Sequence, residues 1–329
     1  MFDQRLVGHQ AIREKLLSRL QAGKLAGSVI FAGPEGIGKR RIALELAQRE
    51  LCFKGTACGA CQGCKAFWTD PLPKELPNLL RIAPEGKAGI IKVGVVRDSD
   101  LVEGGVIAWA SMAPPPRCHR WILIEDAHRL HGAAANMLLK TLEEPPPGTH
   151  VVLITHRPEA MLQTIRSRCE RIAFAPLLPE EAWAVASGHG WLEAEREAWT
   201  ALSAGSLRNL EREAFERAAA QVDAWLRLSS GVSYREAAGP LIPDRNADLA
   251  VSEQLRQPLE LLLALLNDAA RVRSGGKPSL APWKAGIEQL AGSPVDLKLP
   301  QDLVYQALRH LPRNPAPEPV LRGIGMVLR

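Results

Sequence analysis

Gly33-Pro34-Glu35-Gly36-Ile37-Gly38-Lys39-Arg40 is the stretch from which the fold of this chain can be read. The apolar run Ser28-Val29-Ile30-Phe31-Ala32 leads into it, and Arg41-Ile42-Ala43-Leu44-Glu45-Leu46-Ala47 leads out. Buried strand, glycine loop, lysine and helix in that order form a phosphate-binding loop, in which backbone N–H groups and a helix N-terminus face an anion. Gly33, Gly36, Gly38 and Lys39 supply that loop. The next position in the pattern is Ser or Thr, whose hydroxyl holds Mg²⁺. Here it is Arg40.

Downstream, Trp121-Ile122-Leu123-Ile124 reads as a second buried strand and ends in Glu125-Asp126-Ala127-His128. Taken alone, two acids at a strand end are as readily a solvated edge. After a phosphate loop they read as the Walker B pair, one carboxylate for Mg²⁺ and one for the attacking water. The usual order is Asp then Glu, and here it is reversed. The loop and Lys39 retain the means to take up ATP or ADP. Mg²⁺, without a hydroxyl at 40 and with swapped acids, is expected to bind poorly. Val151-Val152-Leu153-Ile154-Thr155 is a third buried strand. Thr155 is either a strand-end cap or a hydroxyl within reach of a γ-phosphate.

Cys52, Cys58, Cys61 and Cys64 lie between the phosphate-loop helix and the next apolar run, with Gly55, Gly59 and Gly63 among them. Four thiolates at such turn-forming spacings match a closed tetrahedral zinc site, with an iron–sulfur cluster as the lesser alternative. A site closed by four thiolates has no position for substrate, so its expected role is structural. Cys118 and Cys169 stand alone.

The remaining pattern divides the chain. Residues 3 to 25 read as a helix, with Ile12, Leu16, Leu17 and Leu20 at helical spacing. Leu79–Ile82 and 172–174 are further strands. Residues 93–101 lead towards a helix ending near Met112, where Pro114-Pro115-Pro116 forces a stop. Helices are expected at 133–142 and 161–167. Run-type strands alternating with helices mean a mostly parallel α/β sheet. Past Pro179 the periodicity is helical throughout, with segments at 180–187, 193–202, 207–228, 255–273, 287–290, 302–311 and 320–328.

Composition excludes several function classes. An apolar fraction of 46% and a charged fraction of 23% are those of a globular protein. No apolar run approaches bilayer length, and Met1-Phe2-Asp3-Gln4-Arg5 has no signal-peptide core. The expected location is the cytoplasm. The net charge of +5 permits contact with nucleic acid without requiring it.

Several signatures now coincide. Leu6-Val7-Gly8-His9-Gln10 precedes the loop, and a four-cysteine module follows its helix. After Ile122–His128 comes Ala135-Asn136-Met137-Leu138-Leu139-Lys140-Thr141-Leu142-Glu143-Glu144-Pro145-Pro146, then Leu153-Ile154-Thr155 and Ser167-Arg168-Cys169. The set resembles the bacterial DNA polymerase III clamp-loader subunits, of the AAA+ class of P-loop proteins. The resemblance implies an AAA+ domain over 1–175 with a zinc module at 52–68. A helical lid over 176–211 and an all-helical collar over 212–329 would follow. It implies that Arg168 is an arginine finger reaching a neighbour's ATP in trans. Thr155 would be the sensor-1 residue, and Arg208 would lie near the sensor-2 position. Gly33, Gly36, Gly38, Lys39, Arg40, Glu125, Asp126, Thr155 and Arg208 would together form a degenerate nucleotide site.

The implied partners are gamma/tau and delta subunits in a hetero-pentamer, with the sliding clamp and primed DNA met through the complex in the nucleoid-associated replisome. The implied activity is assistance to ATP-dependent clamp loading within a nucleotidyltransferase holoenzyme, without ATPase activity of its own. One alternative is a working gamma/tau-like ATPase with an unusual loop. The other is a zinc-dependent nucleic-acid-binding protein.

Overall fold

The computed structural model describes residues 6–67, 75–76, 78–84, 89–92, 105–111, 119–130, 132–244, 247, 250–311 and 315–328. The run expected at 93–101, Pro114–Pro116, Cys118 and the last residue of the expected zinc module, Trp68, lie outside them. The chain forms two compact units, Met1–Glu181 and Ala182–Arg329.

The first unit is built on six strands. They are β1 (Ser28–Ala32), β2 (Glu75–Leu76), β3 (Leu79–Ile82), β4 (Arg120–Ile124), β5 (Thr149–Thr155) and β6 (Glu170–Ala173). Their order is β2-β3-β4-β5-β1-β6. Only the β2–β3 pair is antiparallel among them. Every residue of β1 and β4 is buried, which is why both read as continuous apolar runs rather than alternating ones.

The helices of this unit are α1 (Gln10–Gln21), α2 (Lys39–Leu51), α3 (Gln62–Ala66), α4 (Gly105–Ser111), α5 (Gly132–Glu143) and α6 (Gln163–Arg166). On one sheet face Val106 and Trp109 of α4 and Ala135, Leu138 and Leu142 of α5 pack with Ile122, Ile124, Val151 and Leu153. Burying one such side chain stabilises by roughly 1.5–3 kcal/mol, so this layer fixes the strand ends that carry the site.

α1 is shorter than its periodicity suggests. The helix starts at Gln10 because Gly8 and His9 have φ of 84° and 55°. His9 is spent elsewhere: its Nε2 lies 2.9 Å from the Ile37 carbonyl, and its ring meets Phe174 edge-on at 5.3 Å. The segment before the helix therefore braces the phosphate loop.

α7 (Pro179–Gly188) runs across the boundary between the units. The second unit continues with α8 (Arg196–Ser203), α9 (Arg212–Ser229), α10 (Tyr234–Ala237), α11 (Val251–Arg273), α12 (Lys284–Gly292), α13 (Lys298–His310) and α14 (Pro317–Val327). One core runs through it from Leu202 to Leu328, with Trp225, Leu259, Leu262 and Leu266 at its centre. Trp225 Nε1 donates to the Pro258 carbonyl at 2.8 Å, so the buried indole leaves no unpaired donor. α9 begins at Arg212 rather than at Leu207, after a turn in which Trp199 and Trp191 donate to the carbonyls of Asn209 and Leu210.

Candidate functional site

The strand β1 ends at Ala32 and the chain turns sharply into the loop. A Cβ on Gly33 would lie 2.3 Å from the Phe174 carbonyl oxygen, so only glycine fits there. Gly38, at φ 96°, caps α2 without any side-chain hydrogen bond to the first turn. The orphan N–H groups of that turn thus carry no capping side chain and face the loop, the arrangement that receives phosphate.

Lys39 is buried. Its Nζ donates to the Gly33 carbonyl at 2.7 Å and to that of Pro34. Burial holds its pKa down to about 8, against the pull of Glu35 and Asp126. The lysine is folded onto the loop's own carbonyls.

Glu125 is held by two guanidinium groups. Its Oε2 accepts from Arg40 Nη1 at 3.3 Å. Its Oε1 accepts from Arg81 Nε at 3.0 Å and Arg81 Nη2 at 2.7 Å. Glu125 and Arg81 are largely shielded, with side-chain exposures of 14% and 12%. Arg40 is 57% exposed, so solvent screens its share. A divalent ion and one cation at 4 Å repel by about 8 kcal/mol at an effective dielectric of 20. Two guanidinium groups on Glu125 therefore do not fit a metal ion bound to the same carboxylate. Arg81 is the penultimate residue of β3, whose register places it opposite Leu123, two residues before Glu125. In the sequence Arg81 stands only as one residue of an apolar strand.

Asp126 takes a left-handed conformation, φ 45° and ψ 47°, directly after Glu125. Burial acts to raise its pKa, yet the interaction with His156 and the cations around it bring it below the ordinary range. His156 Nδ1 lies 3.4 Å from Asp126 Oδ1. The Thr155 hydroxyl accepts from the Arg157 N–H at 3.0 Å and lies 3.1 Å from His128 Nδ1. Thr155 is buried, and its hydroxyl is engaged within the chain. Burial, with His156 adding repulsion, holds the His128 imidazole neutral at a pKa of about 3. His128 and His156 were not singled out in the sequence. Only their positions after the two strand ends pointed to them.

The loop residues, Glu125, Asp126 and Thr155 thus gather at one end of the sheet. Arg168 stands apart, at the junction of α6 and β6. Its Nε donates to Glu143 Oε2 at 2.8 Å and its Nη1 to the Thr164 carbonyl at 3.1 Å. Glu143 is well exposed, so this pair contributes about 0–1 kcal/mol and is readily exchanged for another anion. Arg208 lies in the second unit and donates to Glu260 Oε2 at 3.2 Å through both terminal nitrogens.

The four cysteines come together after α2. The Cys58–Cys64 and Cys61–Cys52 Sγ pairs are 4.0 and 3.9 Å apart. A tetrahedron of 2.3 Å zinc–sulfur bonds has edges of about 3.8 Å, so the thiols fit zinc and are far too distant for disulfides. Backbone N–H groups of Cys58 and Cys64 point at Cys52 Sγ and Cys61 Sγ, each at 3.4 Å. Burial works to raise the Cys52 pKa, but the N–H groups of Cys58, Lys54 and Thr56 outweigh it and bring it to about 5. Burial pushes Cys64 up to about 12. A metal ion would deprotonate all four.

Comparison with known proteins adds a family. Residues 8–178, more than half of the chain, match the family model described as DNA polymerase III, delta subunit. DNA polymerase III subunit delta' of Pseudomonas aeruginosa is 37% identical over 160 residues, covering 49% of this chain and 45% of the relative. Its counterpart from Escherichia coli is 34% identical over 187 residues, covering 55% and 50%. DNA polymerase III subunit gamma/tau of Mycobacterium tuberculosis is 29% identical over 177 residues, covering 53% and 28%. The chain spans about half the length of the delta' relatives it matches, and less of the gamma/tau one. Among the described residues, no helix is long and apolar enough to cross a membrane.

Proposed function

The chain belongs to the DNA polymerase III delta-subunit family, and from that premise we propose that it works as a delta-prime-like subunit of the clamp loader. In this reading it assists ATP-dependent loading of the sliding clamp onto primed DNA and hydrolyses no ATP itself. The observation that carries the reading is Glu125, held between Arg40 and Arg81 where a catalytic metal would need it. A loop that keeps its glycines and Lys39 retains the shape of the fold, and ATP or ADP can dock there. Mg²⁺-dependent cleavage would have to draw Glu125 away from both guanidinium groups.

Arg168 is the residue through which the subunit acts. Its guanidinium, held by the exposed Glu143 carboxylate and the Thr164 carbonyl, would be delivered to ATP on a neighbouring gamma/tau subunit. There it would stabilise charge on the transferring phosphoryl group. The remaining assignments follow from the same reading. Cys52, Cys58, Cys61 and Cys64 hold a structural zinc ion that pins the module after α2. Residues 1–175 form the AAA+ domain, 176–211 the lid, to which Arg208 belongs, and 212–329 the collar that joins gamma/tau and delta in a hetero-pentamer. The clamp and DNA are met through that complex, in the cytoplasmic replisome.

ATP turnover by the purified chain tests the reading. Wild type and Arg40→Ser are both expected at background, because restoring the hydroxyl leaves Arg81 on Glu125. Robust turnover abolished by Lys39→Ala would instead make this chain a motor subunit.

A further inference from the structure

α2 begins at the phosphate loop and runs back across the sheet. Its last turn therefore meets the opposite end, where parallel β4 and β5 begin. Three side chains converge there: Glu50 from α2, His119 just before β4, and His150 from β5, whose register partner is Trp121. We propose that Glu50, His119 and His150 form a second metal site, taking a divalent ion of the zinc type with a fourth position open to the adjacent cavity.

Geometry is the first argument. Glu50 Oε2 lies 3.5 Å from His119 Nδ1 and 3.5 Å from His150 Nε2. One ligand atom from each residue falls within 4.8 Å of the others. These gaps are too long for good hydrogen bonds. His119 Nδ1 is buried and, among the described residues, makes no hydrogen bond. A tetrahedral zinc ion with bonds of 2.0–2.1 Å has ligand–ligand edges of about 3.3–3.4 Å, close to the spacing here.

The surroundings agree. Trp121 Nε1 donates to Glu50 Oε2 at 3.0 Å and fixes the carboxylate, as outer-shell donors do at metal centres. Two imidazoles and a carboxylate are a zinc ligand set that leaves one position for an exogenous group.

A cavity of about 650 Å³ supplies the room. Glu50, His119 and His150 line it, together with Arg49 and the Pro145–Gly148 turn. Arg49 favours an anionic occupant of the open position, hydroxide or a small carboxylate. The site is separate from the four thiols, although Glu50 precedes Cys52 by two residues. It does not depend on the clamp-loader reading.

Cobalt substitution of the full chain tests the inference. Cobalt bound by four thiolates shows intense sulfur-to-metal charge transfer, and cobalt bound by nitrogen and oxygen shows none. Titration of wild type with cobalt chloride is expected to reveal a bound ion that adds no charge-transfer intensity. His119→Ala and Glu50→Gln should weaken that ion by more than the roughly 10–100-fold seen for outer-shell changes, with the thiolate bands unchanged. His119 is 42% exposed, so its truncation spares the fold, which circular dichroism would verify. Should every bound ion carry the thiolate band, or the non-thiolate ion persist unweakened in His119→Ala, the site does not exist. The wild-type titration decides this even if one variant fails to fold.

Discussion

At position 40 a single residue changes the chemistry of an otherwise intact loop. Arg40 alone, more than half exposed, would be a weak obstacle. Its effect comes from sharing Glu125 with the shielded Arg81. The loss of the hydroxyl was legible in the sequence because the loop is contiguous. Arg81 was not, since its contact with Glu125 spans 44 positions and exists only through strand pairing. The same holds for His128. Its burial beside Thr155 leaves it neutral in the folded chain, with a pKa of about 3 against an ordinary 6.5. Between those values the unfolded chain binds the proton that the folded chain refuses, so stability is full above 6.5 and is lost as pH falls towards 3. His128→Asn should flatten the acid limb of the urea midpoint by up to one proton's worth of slope. An unchanged slope would mean that His128 is charged in the folded state.

At the level of elements, strands were read more closely than helix starts. Continuous apolar runs such as Ser28–Ala32 leave little choice of boundary. The start of α1 depends on the positive φ of Gly8 and His9, and that of α9 on a turn that caps two buried tryptophans; neither is a matter of periodicity. The cysteine spacing did foretell the gathered thiols. α3 is five residues long, too short to hold itself together. The module after α2 should therefore depend on its metal. Chelation is expected to expose four thiols to a thiol reagent while Cys169, buried under the sheet face, reacts slowly and the sheet keeps its far-ultraviolet signal. Equal reactivity before and after chelation would remove zinc from the account.

For the whole molecule, the strand-type pattern gives way to a helical period near Pro179, and the two compact units meet between Glu181 and Ala182. The candidate site was legible only in part. Motifs contiguous in sequence, the loop, the acids and the cysteines, were found. Contacts assembled from distant strands, Arg81 on Glu125 and the Glu50–His119–His150 cluster, were invisible until the sheet order placed them together. In the proposed role this chain contributes to ATP turnover through Arg168 and not through its own loop. ATP turnover by a reconstituted loader, with this subunit as wild type, Arg168→Ala or Lys39→Ala, tests it most directly. Arg168→Ala is expected to slow turnover at the site it serves by about 10³-fold or more, with assembly intact, while Lys39→Ala leaves turnover unchanged. Loss of turnover in Lys39→Ala with none in Arg168→Ala would contradict it.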